Sequence, residues 1–242
     1  MIFAAGLGTR LKPLTDSIPK ALIEVGGITL LEHAIKHLFY YKITEFVVNV
    51  HHFAYQVIDK CIYLQKKYPI TIQISDEREQ LLETGGGLKK AAPYLQNEKY
   101  FIVYNVDILS NLNLEELVAY HLTCKSLATL SVRSRKTNRY FLFNEQMELC
   151  GWKNMLNNEI RLLNNKIQRL KPFAFSGIQV VNNEIFKLLQ PWSGAFSITE
   201  LYIQLCNFYK ISALFDSTSF WIDVGTIEKL DEANKKINEL NY

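Results

Sequence analysis

The run Gly6-Leu7-Gly8-Thr9-Arg10-Leu11-Lys12-Pro13-Leu14-Thr15, continuing to Pro19-Lys20, follows directly on the apolar segment Ile2-Phe3-Ala4-Ala5. A short apolar run that breaks into glycines reads as a buried strand feeding a ligand loop. Glycines at that point let backbone amides approach and cradle phosphate oxygens that bulkier residues would obstruct. Arg10 can grip a phosphate bidentately, and Lys20 adds a mobile point charge. Two familiar phosphate loops are excluded. The GxGxxG pattern needs a glycine where Leu11 stands, and Pro13 interrupts the helix that should follow. The P-loop needs Gly-Lys-Ser/Thr, which is absent.

Outward from this loop, apolar runs alternate with helical patterns. Residues 46–50, 70–74 and 100–104 are rich in β-branched and aromatic residues and read as strands. Amphipathic segments near 29–41, 53–67 and 86–96 lie between them, and Thr29-Leu30-Leu31-Glu32 has the spacing of a capping box. This order predicts an α/β domain: a three-layer, Rossmann-like, mostly parallel sheet covered on both faces. A further helix is expected over 113–123. Residues 127–133, 140–143, 148–152, 158–163 and 174–181 read as short strands, with turn tips at Asn157-Asn158 and Asn164-Asn165. Helices return at 182–190, 197–209 (with Ser197-Ile198-Thr199-Glu200 as a second capping box) and 226–240. The expected organisation is one domain: a nucleotide-binding core over 1–133, an inserted β-rich lobe over 134–181, and closing helices over 182–242.

Composition narrows the class. Of 242 residues, 48% are hydrophobic, with 14 Phe and 13 Tyr, enough for a substantial core. No window approaches the ~20 apolar residues of a membrane span. A net charge of +3 is too weak to imply nucleic acid. Met1 to Ala5 lacks the basic region of a secretory signal, and the four cysteines form no CxxC pair, so the expected setting is the reducing cytoplasm.

Three further features bear on chemistry. Glu83-Thr84-Gly85-Gly86-Gly87 precedes a helical pattern, where unobstructed amides at a helix start could read a base or ribose. Asp107 follows the 100–104 strand, and Asp223 lies in Phe220-Trp221-Ile222-Asp223-Val224-Gly225-Thr226. Carboxylates at the carboxyl ends of strands sit where open α/β sheets bind ligands. Singly, Asp107 would read as the beginning of a turn and Asp223 as part of the start of the last helix. Two of them beside a phosphate loop suit Mg²⁺, which takes one or two carboxylates plus phosphate oxygens.

The opening signature resembles that of the sugar-1-phosphate nucleotidyltransferases, the NDP-sugar pyrophosphorylases, and the resemblance runs through nearly the whole chain. It is nearest the short branch that contains N-acetylmuramate-1-phosphate uridylyltransferase and mannose-1-phosphate guanylyltransferase. It implies the nucleotide-diphospho-sugar transferase fold with a sugar-binding lobe. It also implies that NTP binds first, with UTP or GTP expected. The sugar 1-phosphate then attacks the α-phosphorus in line and pyrophosphate leaves. Carried onto this chain, it makes Arg10 and Lys20 catalytic and Asp107 and Asp223 the Mg²⁺ ligands. Ala5, Gly6, Leu7, Gly8, Thr9, Glu83, Thr84, Gly85, Gly86 and Asn105 would contact the nucleotide. Gly177 and Lys153 would contact the sugar phosphate, with Lys166 and Lys171 as rivals. Phe141 departs from the pattern, standing where some relatives carry a glycine. No membrane partner is expected, and a homodimer is left open. Three other readings compete: a choline-phosphate cytidylyltransferase caged by Trp152, Trp192 and Trp221, a glycosyltransferase, and a silent sugar-nucleotide binder. The glycosyltransferase would want Asp-x-Asp where this chain has Asn105-Val106-Asp107.

Overall fold

The computed structural model describes residues 1–163 and 169–240. Its strands are β1 (Ile2–Phe3), β2 (Glu24–Val25), β3 (Ile28–Thr29), β4 (Glu45–Val50), β5 (Thr71–Asp76), β6 (Tyr100–Asn105) and β7 (Ile108–Ser110). They continue as β8 (Ala128–Arg133), β9 (Arg139–Phe143), β10 (Leu149–Asn154), β11 (Glu159–Leu162), β12 (Lys171–Asn182), β13 (Ile211–Phe215) and β14 (Trp221–Asp223). β5, β4, β1 and β6 form a parallel run in that order. β12 then pairs antiparallel with β6, and β8 and β13 complete the central sheet beyond it.

Alternation along these strands divides two cores. Ile2, Val48 and Val180 face one side, with Leu31 and Ile35 of helix Leu30–Tyr40 and Val57 and Cys61 of helix Ala54–Lys67. Phe3, Val47 and Val181 face the other, against Leu88 and the helix Ile198–Leu205. Helices on both faces of a mostly parallel sheet match the expected three layers. The β-rich lobe is continuous with this sheet. The first residues of β12 pair with β9, which leads to β10 and β11, while its later residues pair with β6 and β8. One strand therefore belongs to both parts.

Several expected elements differ in extent. The helix placed at 86–96 starts at Glu83 and breaks into Glu83–Lys90 and Ala92–Leu95. Pro93 has no amide to continue the ladder and its ring crowds the preceding turn. The closing helices shorten to Ile185–Leu188, Ile198–Leu205 and Ile227–Lys236. β13 and the β2–β3 ribbon, two residues per strand, are additions that no periodicity reveals. Asn164, Asn165 and Lys166 lie outside the described residues. Among those described, no helix is long and apolar enough to cross a membrane. The thiols are all unpaired. Burial pushes Cys61 up to about 12 and Cys206 up to about 11, so neither is a thiolate nucleophile at neutral pH.

Both capping boxes are only half formed. Thr29 Oγ1 accepts from the Glu32 amide at 3.2 Å, but the Glu32 carboxylate turns away from the cap. It is 2% exposed and accepts from Lys60 at 2.8 Å, Lys67 at 2.7 Å and the Tyr68 hydroxyl at 3.0 Å. Burial alone would raise its carboxyl, but the two lysines and the hydroxyl overcome it and hold Glu32 at about 2. Ser197 accepts from Thr199, and Glu200 pairs with Arg161.

A second buried carboxylate ties together the carboxyl ends of the parallel strands. Ala4 N donates to Asn49 Oδ1 at 2.6 Å, and Asn49 Nδ2 donates to Glu77 Oε1 at 2.8 Å. Leu82 N donates to Glu77 Oε2 at 3.1 Å. The chain after β1, the end of β4 and the segment after β5 are thus fixed to one another by a fully buried acid.

Two stability outcomes follow. Glu32 is depressed from 4.5 to about 2 on folding, so its contribution is complete above the unfolded value and is lost as pH falls toward the folded one. Urea midpoints taken near pH 6 and near pH 3 should therefore fall more for wild type than for Glu32→Gln. At neutral pH, Glu77→Gln should cost about 1–3 kcal/mol in urea unfolding, since its amide group must confront either Asn49 Nδ2 or the Leu82 amide, donor against donor.

Candidate active site

The two aspartates are brought together by a ribbon of backbone. β6 ends at Asn105, and β7 resumes at Ile108. β14 lies antiparallel on β7 with Asp223 opposite Ile108, and Val224 N donates to Asp107 O at 2.8 Å. Asp107 forms an ion pair with Lys20, both side chains largely buried at 21% and 11% exposure. Asp223 Oδ1 is buried and has no hydrogen-bond partner. Burial first, then the negative charge of Asp107, pushes the Asp223 carboxyl up, while Lys20, Arg10 and Arg135 pull it down. Arg10 reaches the same point from the loop after β1. A Cβ built on Gly225 would lie 2.7 Å from Arg10 Nη2 and 2.8 Å from Asp223 Oδ1, so a side chain there would displace one or both of these groups.

The loop after β1 explains how Lys20 returns to the strand ends. Prolines prevent a continuous helix, and the segment folds as single turns at Thr9–Leu11, Leu14–Asp16 and Lys20–Leu22. Gly8 has φ 65°, and its carbonyl accepts from Leu11 N at 2.8 Å and Thr15 Oγ1 at 2.9 Å. A Cβ there would press on Thr15 and on Lys20 itself, at 2.9 and 3.0 Å. Gly6 is different: it is exposed and a Cβ would meet nothing within 4 Å. Ala5 is buried, while Leu7 and Thr9 are exposed beside it.

The second glycine cluster departs from expectation. Gly85, Gly86 and Gly87 lie inside the helix, buried. The Gly85 and Gly86 amides are not open, since both donate to Phe196 O, at 2.8 and 3.2 Å. Added Cβ atoms would strike Phe196, Gly194 O and Glu77 Oε1 respectively, so close packing is a sufficient reason for all three glycines. Thr84 Oγ1 accepts from Ile198 N at 2.9 Å, capping the helix Ile198–Leu205. Glu83 remains exposed, with φ 56°.

Asn105 and Gly177 meet beside the aspartates. Gly177 has φ 84° within an irregularity of β12, and a Cβ there would lie 2.5 Å from Ile108 and 3.3 Å from Asn105 Nδ2. The lysines stand further off. Lys153 is on β10, with β9 between it and β12, and Lys171 begins β12, six residues from Gly177, about 20 Å of extended strand. Phe141 is core, 5% exposed and packed on Phe143 and Phe175.

Three site features escaped the sequence reading: Gly225, the Asn49–Glu77 network and Arg135. Arg135 lies just after β8 and acts electrostatically on Asp223. It had no motif around it, only a basic stretch that reads equally well as solvated surface. Among the described residues no cluster of three or more His, Cys, Asp or Glu gathers, so the centre is a pair of carboxylates with cations around it.

The chain is 43% identical over 109 residues to the N-acetylmuramate alpha-1-phosphate uridylyltransferase of Caulobacter vibrioides, covering 44% of each. It is 27% identical over 231 residues to mannose-1-phosphate guanyltransferase 2 of Candida glabrata, covering 93% of this chain and 60% of that one. It thus spans less than two thirds of these relatives' length. Among solved structures, the inositol-1-phosphate CTP transferase of T. maritima superposes with a TM-score of 0.76 at 16% identity, covering 98% and 95%. HddC of Yersinia pseudotuberculosis, crystallised with GMP-PN, gives 0.74 at 22%, covering 98% and 97%. At these identities the structures speak for the fold alone. Residues 1–239, loop and both aspartates included, match the nucleotidyl transferase family, and the chain belongs to it.

Proposed function

We propose that this protein transfers a nucleoside monophosphate from an NTP to a sugar 1-phosphate, releasing pyrophosphate. The observation that carries this reading is the meeting of Asp107, Asp223, Arg10 and Lys20 at the carboxyl ends of β1 and β6, beside an open glycine. The uridylyl- and guanylyltransferase relatives make UTP or GTP the favoured donor. The unpaired thiols suit a reducing cytoplasm.

The residues fit Mg²⁺: the donors are hard carboxylate oxygens, and Asp223 Oδ1 is buried without any other partner. Asp107 and Asp223 would hold the ion. When bound, it would screen the charge on the α-phosphate. The remaining work falls to the chain. Gly6 leaves space for the triphosphate to lie close to the backbone, and Arg10 stabilises the departing pyrophosphate. Lys20, anchored on Asp107, adds positive charge at a fixed place. Such preorganised cations act without reorganising during the reaction. No general base is required, because a phosphate monoester is already anionic at neutral pH. The choline alternative loses one wall of its cage: the Trp221 ring carries the guanidinium groups of Arg133 and Arg135, at 5.1 and 4.7 Å.

Pyrophosphate release measured for four NTPs against a panel of sugar 1-phosphates tests the reading, with turnover expected for UTP or GTP. Silence across the whole panel would overturn it. With the active pair, Asp223→Ala should abolish release while leaving the melting temperature near that of wild type. Arg10→Ala should lower turnover roughly 10²-fold, the scale for losing one preorganised electrostatic group. A change below about threefold would remove Arg10 from the catalytic machinery.

A further inference from the structure

We propose that Arg135 grips the phosphate of the acceptor sugar 1-phosphate. The inference rests on the transfer reaction above and names the residue that holds its second substrate. Arg135 follows β8, and its guanidinium lies over the indole of Trp221, 4.7 Å from the ring centroid. Trp221 stands two residues before Asp223 on β14, and its indole N–H donates to Ser176 O at 2.8 Å. Arg135 Nη2 donates to Phe175 O at 3.3 Å. The end of β8, the irregular stretch of β12 leading into Gly177, and the strand that bears Asp223 therefore converge on one guanidinium.

That guanidinium is under-used. Its Nε is buried without a partner, and among the described residues Arg135 has no ion-pair partner. Its neighbour on the same indole differs in having a carboxylate partner. Arg133 donates to Asp216 Oδ2 at 2.6 Å and to both oxygens of Ser219 at 3.1 Å. Two arginines share one aromatic platform and each has a buried Nε without a partner, but of the two only Arg133, among the described residues, is neutralised by a carboxylate ion pair. A half-buried guanidinium with so few bonds is costly unless an anion completes it. Burial indeed holds Arg135 below the usual arginine range, with Asp223 acting against the shift.

The direction of approach selects the acceptor. Arg10 comes to Asp223 from the loop after β1, the proposed triphosphate side. Arg135 comes from β8 and β12, where the lobe joins the sheet beside Gly177. In-line displacement requires the attacking and leaving groups on opposite sides of the α-phosphorus. Cations brought in from two different elements can serve the two groups separately. The indole supports the Arg135 fork, whose geometry matches phosphate oxygens in pairs. Lys153 and Lys171 lie further away in the lobe and have no comparable platform.

The test compares Arg135→Met, Arg135→Lys and Arg133→Met in the full chain. With the active NTP and sugar 1-phosphate pair, Arg135→Met should raise the KM for sugar 1-phosphate roughly tenfold or more, leaving the KM for NTP and the melting temperature near wild type. Arg135→Lys should recover part of the loss. Arg133→Met should lower the melting temperature without that selective rise. Equal rises in both KM values, or a rise in the KM for sugar 1-phosphate below about twofold, would overturn the assignment. A second arm needs no turnover: mannose 1-phosphate and glucose 1-phosphate, added with a non-hydrolysable GTP or UTP analogue, should raise the wild-type melting temperature beyond the analogue alone. That extra rise should vanish in Arg135→Met. If it persists there, or is absent from wild type, Arg135 does not hold the acceptor, whereas wild type that binds but never releases pyrophosphate overturns only the reaction.

Discussion

Everything at this site depends on keeping two carboxylates side by side at the mouth of a sheet. Left to themselves they would separate or share a proton, since burial and mutual repulsion both push Asp223 toward its neutral form. Backbone prevents the first outcome. The β7–β14 ribbon sets Asp223 opposite Ile108, and the Val224 amide fastens the next turn to the Asp107 carbonyl. Cations oppose the second. Lys20 neutralises Asp107 directly, and Arg10 and Arg135 act on Asp223 from two different elements. One oxygen of Asp223 is left with no partner. An acid held in that state is what the Mg²⁺ proposed above would complete.

β12 is the second constraint. It serves the central sheet with one half and the lobe with the other, so lobe and core cannot be repositioned independently without bending a single strand. The bend is local. Pairing with β8 is irregular between Phe175 and Gln179, and Gly177, at φ 84°, takes up the change. Trp221 bonds to the carbonyl of Ser176 in this stretch. The place where the strand yields is also where Asn105, Ile108 and Arg135 approach.

The glycines divide by purpose. Gly8 and Gly225 make room for Lys20 and Arg10, side chains of this chain. Gly85 to Gly87 make room for Phe196, Gly194 and Glu77, and through Glu77 and Asn49 they bear on the backbone at Ala4, where the opening loop begins. Gly6 alone among these faces open space. The same residue type thus borders open space in one case and tight internal packing in another, and spacing along the chain does not distinguish them.

The layers of this fold were legible because hydrophobic periodicity is local. The runs at Phe46–Val50 and Tyr100–Tyr104 and the amphipathic stretch at 53–67 each carry their structure in neighbouring residues. The opening loop was legible for the same reason, since its glycines, prolines, Arg10 and Lys20 lie within one short segment. The two aspartates were visible as strand ends, though nothing in the chain's order says that they are close enough to repel one another. That proximity, the pairing of Lys20 with Asp107, the burial of Glu77 and the seating of Arg135 on Trp221 all join residues distant in sequence. Sequence by itself determined which groups could meet phosphate. Only the tertiary structure decided which oxygen is left bare and which of the two guanidinium groups on Trp221 lacks a carboxylate partner among the described residues, because both depend on burial and on partners brought in from elsewhere in the chain.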